Sequence, residues 1–289
     1  MSSGDGYAIV TLVGAPWSER DHAGLTETLG CTDCRVDYYR STAGETPLPV
    51  ASETVCVPLE AGGSVETTDA TIAVPRWGVA CVPGGTAATL VGEASTPWVT
   101  VHATVTDSGG SDDDSSVPVA DSAEREADSA VPPTDSAEHA ADSTEHATDS
   151  AVPPTDSAER ATDSAVTIVD PATVAFAPPA TSDVPIARLT ASLGCTGMKV
   201  NLRRLAPGQV VPYHVEGSQE ELFVPLDGPG TVRIDDEIHH VPAGGVVRVA
   251  PPVPRSVTNE SAESRCWFMV GAPPTGGPDE WDPGAEILE

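Results

Sequence analysis

The chain has almost no lysine and few aromatic residues. Lys199 is its only lysine, and 44 acidic residues against 14 basic ones give a formal net charge of -30 over 289 residues. Such a charge repels phosphate backbones and anionic lipids, so we expect neither nucleic acid nor membrane surfaces as partners. Excess carboxylate with so little lysine is typical of proteins from extreme halophiles, where molar salt screens the self-repulsion. We therefore expect a salt-rich cytoplasm.

Long apolar runs are also absent. The sequence has no stretch of about 18 apolar residues, so no transmembrane helix is predicted. Residues 1–6 lack a basic region followed by an apolar one, and no signal peptide is predicted. The six cysteines are scattered along the chain, as expected for free thiols in a cytoplasmic protein.

Residues 107–170 differ from the rest in composition. They are rich in Ser, Asp, Ala, Pro, Thr and Glu, lack aromatic residues, and contain seven copies of a seven-residue repeat that each begin with Asp-Ser. A coiled coil needs two larger apolar positions per heptad, and the Pro-Pro pairs at 132–133 and 153–154 would break a helix. We predict a disordered acidic linker, with a docking tail for a partner as the alternative.

The sequences on the two sides of this segment resemble each other. Residues 25–32 (LTETLGCT) align with residues 189–196 (LTASLGCT), and residues 57–60 (VPLE) align with residues 224–227 (VPLD). The near-constant offset predicts a duplicated domain, with copies at residues 1–106 and 171–289. Short alternating segments separated by Gly, Pro and Asp clusters predict an all-β sandwich or barrel in each copy.

The second copy carries two spaced motifs. The first has Gly208, His214, Glu216, Glu221 and Gly228, and the second has Gly244, Ala250, Pro252, Arg255 and Asn259. Their spacing resembles that of the two cupin motifs, and the resemblance covers most of residues 186–272. It implies an all-β fold of two cupin-like jelly-roll barrels joined by the long linker, with the N-terminal copy degenerate.

The resemblance also defines a candidate metal site, but with substitutions. Metal-binding cupins use two histidines and a glutamate from the first motif and one histidine from the second. His214 and Glu221 match, whereas Glu216 and Arg255 stand where histidines are expected. Arginine cannot ligate a cation because it stays protonated. The remaining metal ligands would be His214, Glu216 and Glu221, a set suited to Mn or Fe(II).

Two metal-free alternatives concern Arg255. It could replace the ion by pairing with Glu216 and Glu221, because buried charges persist when they are paired. It could instead clamp an anionic ligand with two hydrogen bonds. In the N-terminal copy the ligand positions are taken by Val50, Thr54 and Ala88, so we expect that copy to have a packing role only.

The preferred functional hypothesis is a protein that binds a small polar or anionic molecule in its C-terminal barrel without metal. Arg255, Tyr213 and Phe223 are the predicted ligand-binding residues. One alternative is a metal-dependent cupin enzyme of the dioxygenase or sugar isomerase type. Another is a structural protein that acts through oligomerisation, and a homodimer through the barrels is an expected partner arrangement.

Overall fold

The computed structural model describes residues 2–18, 21–40, 46–92, 95–104, 166–278 and 280–288. These residues are almost entirely β-structure, and the two helices among them have four residues each. No helix in these ranges is long and apolar enough to cross a membrane. The predicted linker lies outside the described residues from 107 to 165.

The N-terminal half provides eleven of the described strands. They are β1 (Ser2–Gly4), β2 (Tyr7–Val10), β3 (His22–Gly24), β4 (Cys34–Arg40), β5 (Thr46–Pro47), β6 (Thr54–Pro58), β7 (Gly63–Thr67), β8 (Thr71–Val74), β9 (Val79–Val82), β10 (Ala88–Gly92) and β11 (Pro97–Ala103), with helix α1 (Thr26–Leu29) between β3 and β4. Together with β12 they form a six-stranded sheet of order β12-β9-β6-β11-β4-β3 and a four-stranded sheet of order β5-β10-β7-β8, while β1 and β2 leave for the other half.

The C-terminal half provides the other eleven described strands. They are β12 (Thr167–Val169), β13 (Ile186–Arg188), β14 (Lys199–Leu205), β15 (His214–Val215), β16 (Glu220–Pro225), β17 (Gly230–Ile234), β18 (Glu237–Val241), β19 (Val246–Val249), β20 (Arg255–Thr258), β21 (Arg265–Ala272) and β22 (Glu286–Ile287), with helix α2 (Thr190–Leu193) after β13. They form a seven-stranded sheet of order β1-β2-β19-β16-β21-β14-β13 and a five-stranded sheet of order β18-β17-β20-β15-β22. The all-β prediction with two barrels is confirmed.

The large sheet of each barrel is apolar on both faces. In β6, Val55 and Val57 face an extensive core shared by the two barrels, and Cys56 between them faces the interior of its own barrel. In β16, Leu222 faces the shared core and Phe223 the interior of the C-terminal barrel. Neighbouring side chains on a strand point to opposite faces, so these continuous apolar strands fit between two packed layers.

The barrels exchange strands. The N-terminal strand β2 pairs with β19 of the C-terminal barrel, where Ile9 lies opposite Val247. Strand β12 pairs with β9 of the N-terminal barrel, where Ile168 lies opposite Ala80. Residues 167–169, which fall within the range predicted as linker, are therefore part of the N-terminal barrel's sheet.

The structure repeats the features that indicated duplication. Both helices end on a glycine in the left-handed region, Gly30 with φ 68° and Gly194 with φ 72°, where other residues would be strained. In the C-terminal barrel a side chain at Gly230 would overlap the ring of the buried Trp267. Gly63 meets the buried Trp98 in the same way. Both tryptophans are therefore core residues at equivalent positions of the two barrels.

Two glutamates clamp the barrels together at equivalent positions. Glu220 of the C-terminal barrel accepts hydrogen bonds from the backbone amides of Thr32, Asp33 and Cys34, at 2.9–3.2 Å. Its Oε2 atom also pairs with Arg248, at 2.9 Å from Nε and 2.8 Å from Nη2.

Glu53 makes the reciprocal clamp from the N-terminal barrel. It accepts from the amides of Thr196 at 2.7 Å and Gly197 at 3.0 Å, in the loop that follows α2. Glu220 is fully buried, whereas Glu53 is partly exposed. The two copies thus pack like the subunits of a dimer. Each copy contributes one glutamate that accepts hydrogen bonds from backbone amides of the other copy.

Candidate functional site

The residues singled out in the first motif meet inside the C-terminal barrel. His214 lies on β15 and pairs across the sheet with Arg255 of β20, while Glu221 lies on the facing β16. The Nε2 atom of His214 lies 3.6 Å from Oε1 of Glu216 and 3.4 Å from Oε2 of Glu221. One imidazole and two carboxylates therefore converge, at a spacing compatible with a shared cation.

Arg255 is fully buried and pairs with only one of the two carboxylates. Its Nε donates to Oε2 of Glu221 at 2.9 Å. Its Nη1 donates to the carbonyls of Pro251 at 2.8 Å and Val253 at 2.9 Å. The expected bridge from Arg255 to both Glu216 and Glu221 is not present. Backbone carbonyls of the loop before β20 accept the other hydrogen bonds of the guanidinium instead.

The two carboxylates have opposite protonation tendencies. Burial raises the pKa of Glu216 to about 9, and the nearby Glu221 carboxylate adds to this effect. Burial also acts to raise the pKa of Glu221, but the charge of Arg255 and the hydrogen bond with His214 lower it to about 2. Glu221 is therefore ionised and paired, while Glu216 holds a proton at neutral pH.

The hydrogen bond of His214 fixes its tautomer. Its Nδ1 lies 2.7 Å from the carbonyl oxygen of Pro212, which can only accept, so Nδ1 carries a proton. The Nε2 atom donates to Glu221 when it carries a proton, and offers a lone pair to a cation when it does not. This arrangement suits either a proton on Glu216 or a bound cation, because metal-ligating histidines commonly donate their other N–H to a carbonyl.

The C-terminal strap, residues 280–288, lies against this cluster. Trp281 donates from Nε1 to Oε1 of Glu216 at 3.1 Å. Its ring lies edge-on to His214, with 5.6 Å between ring centroids. The tryptophan thus covers the cluster.

Several polar contacts anchor the strap. Lys199 donates from Nζ to the carbonyl of Glu280 at 2.7 Å. The carboxylate of Asp282 accepts from the amide of Gly217 at 2.9 Å and from that of Ser218 at 3.3 Å. Strand β22 of the strap pairs with β15. The strap is therefore part of the five-stranded sheet.

A cavity of about 70 Å³ lies beside the cluster. Three cations line it, Arg188 from β13 and Lys199 and Arg203 from β14. The carboxyl groups in the lining are those of Glu216, Glu221, Glu280 and Asp282. Nη1 of Arg203 is buried and has no hydrogen-bond partner among the described residues. Burial lowers the pKa of Lys199, which the carboxylates of the strap and Glu216 oppose.

The predicted ligand-binding residues differ in their positions. Phe223 is buried and lines the cavity. Arg255 lies behind Glu221 and is not part of the lining. Tyr213 does not line the cavity either, because it neighbours His214 on the chain and points the other way. Its hydroxyl donates to the carbonyl of Asp235, and Arg233 lies 4.2 Å from its ring centroid.

Sequence reasoning missed the cations of the cavity and the tryptophan above them. Lys199, Asn201 and Arg203 alternate along β14, so all three face the barrel interior. The signal was present, because an interior-facing series of polar residues contains the only lysine of the chain. Trp281 had no such signal, since its position depends on the path of the strap.

The N-terminal barrel holds a buried polar cluster instead of a carboxylate pair. Asp37 accepts from His22 at 2.9 Å and Arg35 at 2.8 Å, and lies 3.2 Å from Nε2 of His102. The other ring nitrogen of His102 lies 2.8 Å from the hydroxyl of Thr54. Thr54 occupies the position of Glu221, as the alignment predicted, but the cluster around Asp37 was not foreseen.

This cluster makes the stability of the fold depend on pH. Burial acts to raise the pKa of Asp37, but hydrogen bonds from His102, His22 and Arg35 lower it to about 2. The pKa of this carboxyl group is about 3.9 in the unfolded chain, so its ionised form stabilises the fold at any pH above that value. This contribution of roughly 2–3 kcal/mol is lost as the pH falls through the pKa of the folded state.

We expect Asp37→Asn to be less stable than the original protein at pH 7 and nearly equal to it at pH 2. Asparagine is a suitable replacement, because Asn201 occupies the equivalent position in β14. Urea denaturation at both pH values measures the difference. A difference that stays constant with pH would contradict the assigned pKa.

Comparisons with known proteins agree with the geometry. A family model described as "Cupin domain" matches residues 201–271. No curated protein sequence matches the chain. Oxalate decarboxylase from Lactobacillus farciminis, solved as a formate complex, matches with a TM-score of 0.62 and 9% identity over 100% of this chain and 90% of that one.

Two further solved structures show the same likeness. Protein Ylba from E. coli matches with a TM-score of 0.56 and 12% identity, over 96% of this chain and 95% of that one. A cupin 2 conserved barrel domain protein from Leptotrichia buccalis matches with a TM-score of 0.52 and 8% identity, over 94% of this chain and 91% of that one. Such identities establish the fold alone. Residues 201–271 of the C-terminal barrel therefore match the cupin domain model, and the described residues share the two-barrel fold of these solved cupin-type structures.

Proposed function

We propose that the C-terminal barrel binds a small anion, with a carboxylate as the favoured class, and that it does so without metal. The observation that carries this proposal is the convergence of Arg188, Lys199 and Arg203 on one small cavity. The buried, unpartnered Nη1 of Arg203 is a donor in need of an acceptor. A planar carboxylate matches the paired donors of a guanidinium.

The charge of the cavity supports an anionic ligand. Glu221 is neutralised by Arg255 at 2.9 Å, and Glu216 holds a proton, so neither opposes an anion strongly. Arg188, Lys199 and Arg203 then face the carboxylates of Glu280 and Asp282, which also line the cavity. An excess of one positive charge remains, in a chain whose formal net charge is -30. A local positive site within an acidic protein draws in small anions that the rest of the surface repels.

The size of the cavity limits the ligand. A volume of about 70 Å³ holds roughly five water molecules, since each needs about 10–15 Å³ of this kind of volume. This suits an acid of two or three carbons. The similar oxalate decarboxylase was solved with formate, itself a small carboxylate.

Calorimetric titration with acetate, oxalate and inorganic phosphate tests the proposal. We expect at least one of the carboxylates to bind, and Arg203→Gln to raise its Kd about tenfold or more, because a charged hydrogen bond is worth about 1.5–3 kcal/mol. Arg204→Gln is the matched control, since Arg204 neighbours Arg203 but is exposed and lies over Phe176.

The titrations need one fixed KCl concentration, so that chloride competes equally in each variant. Equal Kd values for the two arginine variants would reject the assigned cavity. Binding of neutral analogues with the same affinity as the acids would reject an anionic ligand.

A metal-dependent cupin enzyme is the second candidate function. It is favoured by the Nδ1 hydrogen bond of His214 and by the buried Oε2 of Glu216, which has no hydrogen-bond partner among the described residues. His214, Glu216 and Glu221 would hold Mn or Fe(II), and the ion would supply dioxygenase or isomerase chemistry. Arg255 counts against it, because its guanidinium would lie close to the ion.

Elemental analysis separates the two candidates. Protein purified without chelators should contain no stoichiometric Mn, Fe, Ni or Zn if the barrel is metal-free. One metal per chain that is lost in Glu216→Gln would favour the enzyme. The homodimer and the cytoplasmic location stay predictions, and sedimentation of the purified chain measures the first.

A further inference from the structure

Two cysteines from different copies of the domain lie side by side between the barrels. The Sγ atoms of Cys81 and Cys195 are 3.4 Å apart. Cys81 belongs to β9 of the N-terminal barrel, and Cys195 follows α2 in the C-terminal copy. Both are buried and both are free thiols in this structure. They belong to the core that the two barrels share.

The backbone on both sides of this contact is well anchored. Cys81 lies within a sheet, opposite Val55 on one side and Thr167 on the other. The amide of Cys195 donates to the carbonyl of Thr190 at 3.0 Å. The Glu53 clamp then holds the next two residues of the loop. The two thiols therefore face each other because ordered elements place them there.

We propose that Cys81 and Cys195 form a disulfide site that links the two barrels covalently. A disulfide has a sulfur–sulfur distance of about 2.05 Å, so the thiols must approach by about 1.4 Å. Bond formation would require rotation about the Cα–Cβ bonds and a shift of the loop after α2. The bond would close a loop of the chain that contains all seven copies of the seven-residue repeat.

The reaction needs an oxidant, and a low-molecular-weight disulfide is the class that we propose. One protein thiolate attacks the small disulfide and releases one small thiol. The second protein thiolate then attacks the mixed disulfide, forms the bond between Cys81 and Cys195, and releases the other small thiol. The chain loses two hydrogen atoms, and the small disulfide is reduced to two thiols.

The equivalent place on the other side of the interface lacks this chemistry. Cys31 and Cys34 lie there with Glu220, but the position equivalent to Cys81 is Arg248. The Glu220 oxygens already accept from three amides, the Cys34 thiol and Arg248, which explains the cluster without a metal ion. Cys31 and Cys34 both belong to the N-terminal copy, so a disulfide between them would not link the barrels, and this pair is a matched control.

Cleavage of the chain between the barrels tests the proposal. A protease site is inserted between residues 107 and 163 of the full chain, and the protein is treated with oxidised glutathione and then cleaved. We expect the two halves to migrate as one species in denaturing gels without reductant, and as two after reduction. In the variant that combines Cys31→Ser with Cys34→Ser, the intact oxidised chain should be lighter by about 2 Da once glutathione is removed.

Two variants assign the bond. Cys31→Ser combined with Cys34→Ser should leave the link intact, while Cys195→Ser should abolish it. If Cys195→Ser does not fold, peptide mass mapping of the oxidised original chain identifies the linked cysteines. Halves that separate after oxidation, a link that persists in Cys195→Ser, or a mapped pair other than Cys81 and Cys195 would each overturn the proposal.

Discussion

Replacing Arg255 by leucine is expected to lower the free energy of unfolding by about 3–5 kcal/mol. The guanidinium is fully buried and is the cation that pairs with Glu221 at 2.9 Å. Without it, an ionised carboxylate with a pKa of about 2 would lose its partner inside the barrel and would have to take up a proton. Urea denaturation monitored by tryptophan fluorescence measures the loss.

A double variant distinguishes loss of the pair from loss of packing. Arg255→Leu combined with Glu221→Leu removes both charges, and replacing a buried pair by apolar residues is often close to neutral. We expect it to recover a large part of the stability that Arg255→Leu loses. A double variant as unstable as the single one would mean that the bonds from Arg255 to the carbonyls of Pro251 and Val253, rather than the ion pair, are what the fold requires.

Replacing Glu220 by alanine should cost a similar amount, about 3–5 kcal/mol. The change would leave the buried Arg248 without its carboxylate and three amides of the N-terminal copy without an acceptor. These groups lie in the interface, so we expect the change to weaken the contact between the barrels.

Glu53→Ala is the matched control for Glu220→Ala. Glu53 occupies the equivalent position and accepts the equivalent amides, but it is partly exposed and has no arginine comparable to Arg248. Water can replace it, so we expect a loss of about 1 kcal/mol. Equal losses in the two variants would show that burial of the ion pair does not set the strength of the clamp.

The fold was predictable because its signals are local and repeated. The two LTxxLGCT segments predicted the duplication. In the structure, each contains a short helix that ends at a glycine in the left-handed region. The spacing of the motif residues from Gly208 to Asn259 predicted the barrel, because the strands and turns between these residues have fixed lengths. Of the candidate site, the convergence of His214, Glu216 and Glu221 was also predictable from that spacing.

The rest of the site depends on contacts that are distant in sequence. Arg255 pairs with Glu221 alone because the loop before β20 offers carbonyl oxygens that no motif encodes. Trp281 reaches Glu216 across 65 positions of the chain, through a strap held by pairing with β15. The Asp37 cluster likewise draws on three strands, and its members have no counterparts in the cupin motifs.

The exchange of β2 and β12 has a consequence for any attempt to separate the halves. A chain that starts at residue 171 would lack β2, and β19 would then present an unpaired edge of the large sheet. A chain that stops at residue 106 would lack β12 and expose β9 in the same way. Open apolar edges recruit strands from other molecules, so each isolated half should aggregate or pair with a second copy, while the two halves mixed together should recombine.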